Sequence, residues 1–67
     1  MDKVDFGDYV KSKSKPTINK GLEMFIGDVD ETLKKALCQY VEDGKTVEIW
    51  FDIEDLFVTR KSEGNFF

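Results

Sequence analysis

The chemistry open to this chain is limited by its titratable residues. Its 67 residues include 14 Asp and Glu, one Cys and no His. Without an imidazole there is no ordinary Ser-His-Asp triad, no histidine base and no imidazole metal ligand. Paired carboxylates could still act as acid and base, but so small a domain has little room for a pocket that excludes water. The composition therefore predicts a protein that is not an enzyme and that carries no cofactor.

Two acidic clusters have the residue types of a metal site. They are Asp28, Asp30 and Glu31, and Asp52, Glu54 and Asp55. A calcium loop needs oxygen ligands at alternate positions, a glycine and a terminal Glu. The first cluster instead suits the start of a helix, where the macrodipole favours negative charge, and the second suits a solvated turn. We expect no metal at either cluster.

The single cysteine, Cys38, cannot form a disulfide within the chain, which fits a reducing cytosol. It lies away from the apolar stripe of the helix predicted below, so we expect it to be partly exposed. A reactive thiol needs a lowered pKa, and Lys34 and Lys35 could help only slightly. An inert surface cysteine is the favoured interpretation.

With no run of about 20 apolar residues and no apolar leader in MDKVDFGDYV, we expect a cytoplasmic protein, in the host cytoplasm if it is viral.

The apolar spacing between Asp28 and Asp43 predicts a helix. Asp28 or Asp30 can cap the start of this helix, and Glu31 lies three residues after Asp28 as in a capping box. Gly44 matches a left-handed helix stop. The predicted apolar stripe comprises Val29, Leu33, Ala36, Leu37, Tyr40 and Val41.

Four segments around this helix read as strands. They are Val4–Val10, Leu22–Ile26, Lys45–Asp52 and Leu56–Lys61. We expect the last two to pair as a hairpin across a short loop. Residues 1–67 are then a single α+β domain of β-β-α-β-β order, with one helix packed on one face of a small, mainly antiparallel sheet.

Side-chain alternation in the predicted hairpin defines a candidate docking surface. Val47, Ile49 and Phe51 should cover the helix, which turns Trp50 and Phe57 to the other face. Tryptophan is enriched at binding hot spots, and carboxylates around it suit a host protein with a basic surface. The predicted docking residues are Trp50, Phe57, Glu48, Asp52, Glu54 and Asp55. The alternative is that an N-terminal strand, the Phe66-Phe67 tail or a second subunit covers Trp50.

Charge is uneven along the chain. Residues 1–20 carry a net charge of +2, residues 21–59 carry −7 and residues 60–67 carry +1, giving −4 in total. The lysines from Lys11 to Lys15 could contact phosphates, but no aromatic residue lies between them and the acidic remainder repels a polyanion. We therefore predict a mobile loop at 11–16, a flexible tail at 62–67, and no nucleic-acid or membrane partner.

Two alternatives to a protein-binding role remain open. One is a nucleic-acid accessory protein with a basic rim formed by Lys11, Lys13, Lys15, Lys20, Arg60 and Lys61. The other is a small assembly subunit, because a domain of about 60 residues buries only about 60% of its unfolded surface and is marginal alone. A homodimer or a bound target would supply the missing burial, although an ordinary monomer is equally compatible with the sequence.

Part of the chain resembles a known family. Asp30-Glu-Thr-Leu33, Lys35-Ala-Leu37, Gln39-Tyr-Val41, Gly44 and Val47-Glu-Ile49 resemble the helix-to-strand segment of small bacteriophage inhibitors of bacterial RNA polymerase, over about a third of the chain. The resemblance implies a helix on a small sheet and a protein that binds and blocks a host enzyme without catalysis. No binding residue is transferred from it. Our hypothesis is a small acidic inhibitor of transcription machinery or of a defence nuclease.

Overall fold

The computed structural model describes residues 4–62 as one five-stranded antiparallel sheet. Its strands are β1 (Tyr9–Ser12), β2 (Met24–Asp30), β3 (Lys35–Glu42), β4 (Lys45–Asp52) and β5 (Leu56–Arg60). The spatial order is β4-β3-β2-β1-β5. The helical pieces within these residues are 3₁₀ turns at Ile18–Gly21 and Ile53–Asp55. The fold is therefore mainly β, and the α+β prediction with a packed helix is wrong.

The link between the two edge strands forces the sheet to curl. From Asp52 to Leu56 the chain takes four Cα steps, which reach at most about 14 Å. In a flat sheet the four intervening strand spacings would separate β4 from β5 by about 19 Å. The link is tied down at both ends, because the Ile53 N–H donates to the Lys34 carbonyl over 2.9 Å and the Lys13 N–H donates to the Asp55 carbonyl over 2.7 Å. The sheet therefore has an enclosed inner face and an open outer face.

The inner face holds the hydrophobic core. Every strand contributes to it, and the buried apolar residues are Val4, Val10, Met24, Ile26, Ala36, Cys38, Phe51 and Leu56. Ala36 and Cys38 on β3 lie between larger residues on β2 and β4. Small side chains suit this position because a tightly curled sheet brings its inward-facing side chains close together.

The residues predicted to form the helix lie instead in β2, in the turn after it and in β3. Ala36 and Cys38 are fully buried at a spacing of two, whereas Leu33 and Val41 of the predicted stripe are 62% and 67% exposed. The apolar spacing of these residues was therefore wrongly interpreted as the 3.6-residue period of a helix. Asp30 does accept a hydrogen bond from the N–H of Leu33 at 3.0 Å, but it closes a turn between strands.

Gly44 has a different role from the predicted helix stop. Asp43 and Gly44 both have positive φ, of 54° and 77°. This is the conformation of a type I′ turn, and Asp-Gly is among its preferred sequences. The pair connects β3 to β4 with Glu42 directly opposite Lys45.

The predicted pairing of β4 with β5 is also wrong. β4 pairs with β3, which places Trp50 opposite Leu37. β5 pairs with β1, which places Phe57 opposite Lys11. The Ile53–Asp55 turn carries the chain to the far edge of the sheet instead of folding it back on β4.

The N-terminal strands are shifted from their predicted positions. Val4 is buried, but the strand predicted at Val4–Val10 begins only at Tyr9. The strand predicted at Leu22–Ile26 runs on to Asp30, with a break in register around Gly27. Within 11–16, Lys11 and Ser12 belong to β1. Of the predicted tail at 62–67, residues 63–67 lie outside the described part.

In the described region, we find no helix with the length and apolar character needed to cross a membrane.

The core assignment predicts unequal effects of two aliphatic truncations. Ile26→Ala should lower the free energy of unfolding by about 2–5 kcal/mol, because Ile26 is fully buried. Leu33→Ala should change it by no more than about 0.5 kcal/mol, because Leu33 lies exposed in a turn. Urea unfolding followed by tryptophan fluorescence measures both. Equal losses for the two variants would contradict the strand assignment of residues 35–42.

Candidate functional site

Three of the predicted docking residues share the outer face of β4. Trp50 is 46% exposed, which is the outward orientation expected from strand alternation. The Gln39 Nε2 donates to Glu48 Oε2 at 2.6 Å, and Lys35 Nζ forms an ion pair with Asp52 Oδ1 at 2.7 Å. Carboxylates therefore flank the indole on both sides along the strand. Their role in binding remains a prediction.

The other predicted docking residues lie elsewhere. Phe57 is 42% exposed on β5, at the opposite end of the strand order from Trp50. Glu54 is exposed in the link between β4 and β5, with its backbone carbonyl accepting from Lys13 Nζ at 3.2 Å. The six residues do not form one docking strip, because β4 and β5 are not paired.

Asp55 serves the structure of the chain itself. Its carboxylate accepts hydrogen bonds from the Ser12 hydroxyl and from the N–H and hydroxyl of Ser14, both at 2.9 Å for Ser14. The Ser12 hydrogen bond is the main reason why the pKa of Asp55 is lowered. Asp55 thus fastens the β4–β5 link to the end of β1.

Sequence reasoning missed a cluster of aromatic side chains on the outer face of β1 and β2. The Phe25 ring makes edge-on contacts with Tyr9 and Phe6, with centroid separations of 5.5 Å and 5.9 Å. Arg60 lies over the Tyr9 ring at 4.2 Å, and its guanidinium pairs with Glu23 at 3.0 Å. Each ring is therefore held by a neighbour rather than projecting alone.

These side chains form part of one row across the whole sheet. The registers place Arg60 opposite Tyr9, Tyr9 opposite Phe25, Phe25 opposite Gln39 and Gln39 opposite Glu48. The row has a cation at the β5 end, aromatic rings in the middle and a carboxylate at the β4 end. Cross-strand neighbours of this kind stabilise one another.

Tyr9 and Phe25 stand between two shallow clefts. One cleft, of about 430 Å³, includes Phe6 and Arg60, and the other, of about 460 Å³, includes Leu22 and Val41. Phe6, Leu22 and Val41 are 65%, 63% and 67% exposed. We call the five apolar residues of this surface the aromatic face: Phe6, Tyr9, Leu22, Phe25 and Val41.

A buried carboxylate anchors the N-terminal side of the aromatic face. Asp8 is fully buried, and it accepts hydrogen bonds from Lys61 Nζ at 2.9 Å, the Ser62 N–H at 2.6 Å and the Asp5 N–H at 2.8 Å. Burial raises the pKa of Asp8, but the three hydrogen bonds and the Lys61 charge outweigh it and lower the pKa. The contacts join the turn that carries Phe6 to the end of β5.

The described residues present neither a metal cluster nor an activated thiol. Residues 4–62 contain no group of three or more Cys, Asp or Glu side chains able to hold a metal ion. Cys38 is fully buried on the inner face, not partly exposed as predicted, and burial raises its pKa to about 12. Such a thiol is a poor nucleophile.

One signal in the sequence pointed toward this surface. Asp43-Gly44 between residues of high strand propensity is typical of a hairpin, which would make residues 35–42 a strand. The predicted strand at Leu22–Ile26 would then lie in the middle of the sheet, beside this new strand. The contact between Tyr9 and Arg60 could not be predicted from the sequence, because Arg60 comes from a strand about fifty residues away.

Comparisons of this chain with protein-family models, with curated proteins and with solved structures each found no match.

The burial of Cys38 predicts a protected thiol. At pH 8 its reaction with a disulfide reagent should be at least about a hundredfold slower in the native protein than in urea, because the thiolate is the reacting form. Absorbance of the released chromophore gives both rates. Similar rates in the two conditions would place Cys38 on the surface.

The Asp8 contacts predict a loss of stability in acid. Because the folded pKa lies below the ordinary value of 3.8, the stabilisation is complete above that value and is lost as pH falls through the folded pKa. Asp8→Asn should therefore lower stability at pH 7 and flatten the decline between about pH 5 and pH 2. Part of the decline in stability should remain in this variant, because the pKa values of Asp55 and Glu23 are also lowered.

Urea midpoints across this pH range measure the effect. Glu54→Gln, at an exposed carboxylate, is the matched control and should follow the wild-type curve. If the stability of Asp8→Asn declines with falling pH as steeply as that of the wild type, the assigned role of Asp8 is contradicted.

Proposed function

We propose that this chain is a non-catalytic protein-binding module that docks through its aromatic face. The observation that carries the proposal is the grouping of Phe6, Leu22 and Val41, each more than 60% exposed, around the Tyr9–Phe25 pair. Scattered exposed apolar residues are normal on a protein surface, whereas a contiguous group marks an interaction site. Docking would remove this group from water.

The contacts within the aromatic face favour tight binding. Tyr9 is fixed between Phe25 and Arg60, and Arg60 is fixed in turn by Glu23. Side chains already held in one arrangement lose less conformational entropy on binding. Tyrosine and arginine are also among the residues most enriched at hot spots.

The charges around the face favour a protein partner over a nucleic acid. Arg60 is paired with Glu23, and Lys61 contacts both Asp5 and Asp8. Residues 21–59, which include β2, β3 and β4, carry a net charge of −7. A partner with an apolar protrusion and basic surroundings would complement the face, and its association would be faster at low salt.

The narrower proposal is that binding inhibits a host protein. Its support is the resemblance of segments in residues 30–49 to phage inhibitors of RNA polymerase, together with the acidic character of the chain. Those residues fold as strands, so the helix that the resemblance implied gives no docking surface here. The target class remains transcription machinery or a defence nuclease.

The proposal predicts that loss of exposed apolar groups weakens partner binding. The double substitution Phe6→Ser with Val41→Ser should weaken binding to a partner captured from bacterial lysate by at least about tenfold, or 1.4 kcal/mol. Leu33→Ser is the matched control, because Leu33 is 62% exposed but lies outside the aromatic face. Titration calorimetry with the purified partner measures the loss, and circular dichroism verifies each fold.

Two results would overturn this function. Equal affinity of the wild type, the double variant and the control would exclude the aromatic face as the docking site. Binding of DNA or RNA at low salt that is abolished by alanine at Lys11, Lys13 and Lys15 would instead establish the nucleic-acid alternative.

A further inference from the structure

β4 is an edge strand whose outer side lacks a strand partner among residues 4–62. It pairs with β3 from Lys45 to Asp52 without interruption, and β3 is its neighbour in the strand order. Among the described elements, β3 is the one with which β4 makes extensive contacts. Within residues 4–62, nothing pairs with the backbone groups on its other side, and we treat them as open to a further strand.

The register determines which backbone groups point outward. In a two-residue hairpin, the residues next to the turn, Glu42 and Lys45, form a hydrogen-bonded pair. Alternation then directs the N–H and C=O groups of Val47, Ile49 and Phe51 toward β3. The groups that point away from β3 belong to Thr46, Glu48, Trp50 and Asp52. The side chains of these four residues lie on the outer face.

The β4 edge has none of the backbone interruptions that commonly prevent edge strands from pairing. Native edge strands are commonly short or interrupted by proline or a bulge. β4 has eight residues with neither proline nor glycine, and its register has no break. Apolar side chains remain accessible on both of its faces, because Val47 and Ile49 are half-buried on the inner face and Trp50 is exposed on the outer one.

By comparison, β5 is a poorer edge for a partner strand. It has five residues, and its pairing with β1 is irregular between Tyr9 and Val10. Its Arg60 is committed to Glu23 and Tyr9. The two edges of the sheet are therefore not equivalent.

The charges on β4 determine which kind of strand can pair with its free edge. Its outer-face side chains include Glu48 and Asp52 but no cation, so antiparallel pairing with a second copy would bring four carboxylates together along one seam. Like charges at this distance oppose pairing. Although Lys35 contacts Asp52, the Asp52 side chain is still 69% exposed and can accept a further cation.

We propose that the outer edge of β4 binds an extended basic segment of a partner protein as a sixth, antiparallel strand. Cations at two positions of that segment lie opposite Glu48 and Asp52, and an apolar residue between them lies opposite Trp50. The segment has the pattern basic-x-apolar-x-basic, because side chains on one face of a strand recur every second residue. This site is separate from the aromatic face and does not rest on the proposed function.

A synthetic peptide tests this site on the whole chain. The probe is Thr-Lys-Thr-Leu-Thr-Lys-Thr, and the readout is amide hydrogen exchange by NMR. At saturation, exchange should slow at least about tenfold at Glu48, Trp50 and Asp52. The amides of Val47, Ile49 and Phe51, which already face β3, should change much less.

Matched peptides separate backbone pairing from charge. N-methylation of the Leu and both Lys should abolish binding, because their N–H groups face β4, whereas N-methylation of the two inner Thr should leave it intact. Replacing both Lys by Glu should also abolish binding. Glu48→Gln in the protein should weaken binding and reduce its salt dependence.

Several outcomes would overturn the proposal. These are unchanged exchange at the three outward amides, equal binding of the two N-methylated peptides, or binding of the Glu peptide as tight as that of the Lys peptide. Slowed exchange that grows with protein concentration in the absence of peptide would identify a second copy instead. The Phe6→Ser, Val41→Ser variant should bind the probe normally, so failure of the aromatic face and failure of this edge are distinguishable.

Discussion

The short link between β4 and β5 is the constraint on which the rest of the structure depends. Its three residues connect strands at opposite ends of the strand order, so the sheet must curl until those ends approach. Curling encloses one face, which gives residues 4–62 a core although they contain no α-helix to cover it. Hydrogen bonds from Lys13 and to Lys34 hold the link in place, and the Asp55 carboxylate fastens it to β1.

The same curvature leaves the outer face and the β4 edge uncovered in the part of the chain that is described. The outer face presents the aromatic face on β1 to β3, while the edge presents backbone groups flanked by carboxylates. The first surface would recognise apolar shape and the second would recognise an extended basic segment. A partner that engaged both would gain from the link between them, because the second contact would then be intramolecular. Under the proposed function, two surfaces of different chemistry on one sheet suit a protein that acts by binding.

The limits of prediction are clearest in residues 35–42. Ala36, Leu37, Tyr40 and Val41 have helical spacing, but Ala36, Cys38 and Tyr40 also have strand spacing, and a short segment can satisfy both. The burial that decides between them comes from β2 and β4, which lie on either side of β3. Asp43-Gly44 supports the strand locally, since both residues adopt positive φ. For Trp50 the outward orientation could be predicted, because Val47, Ile49 and Phe51 form an alternating apolar set and strand neighbours point to opposite faces.

The sequence by itself determined the alternation of β4, the absence of histidine chemistry, and the acidic charge of residues 21–59, because these depend on residue type and nearest spacing. The tertiary structure alone decided that β5 pairs with β1, that Phe6, Tyr9 and Phe25 meet, and that Asp8 is buried beneath Lys61. These contacts join residues from about 16 to more than 50 positions apart in the chain. Their partners are chosen by the closure of the whole sheet, because no local preference of either residue specifies the other.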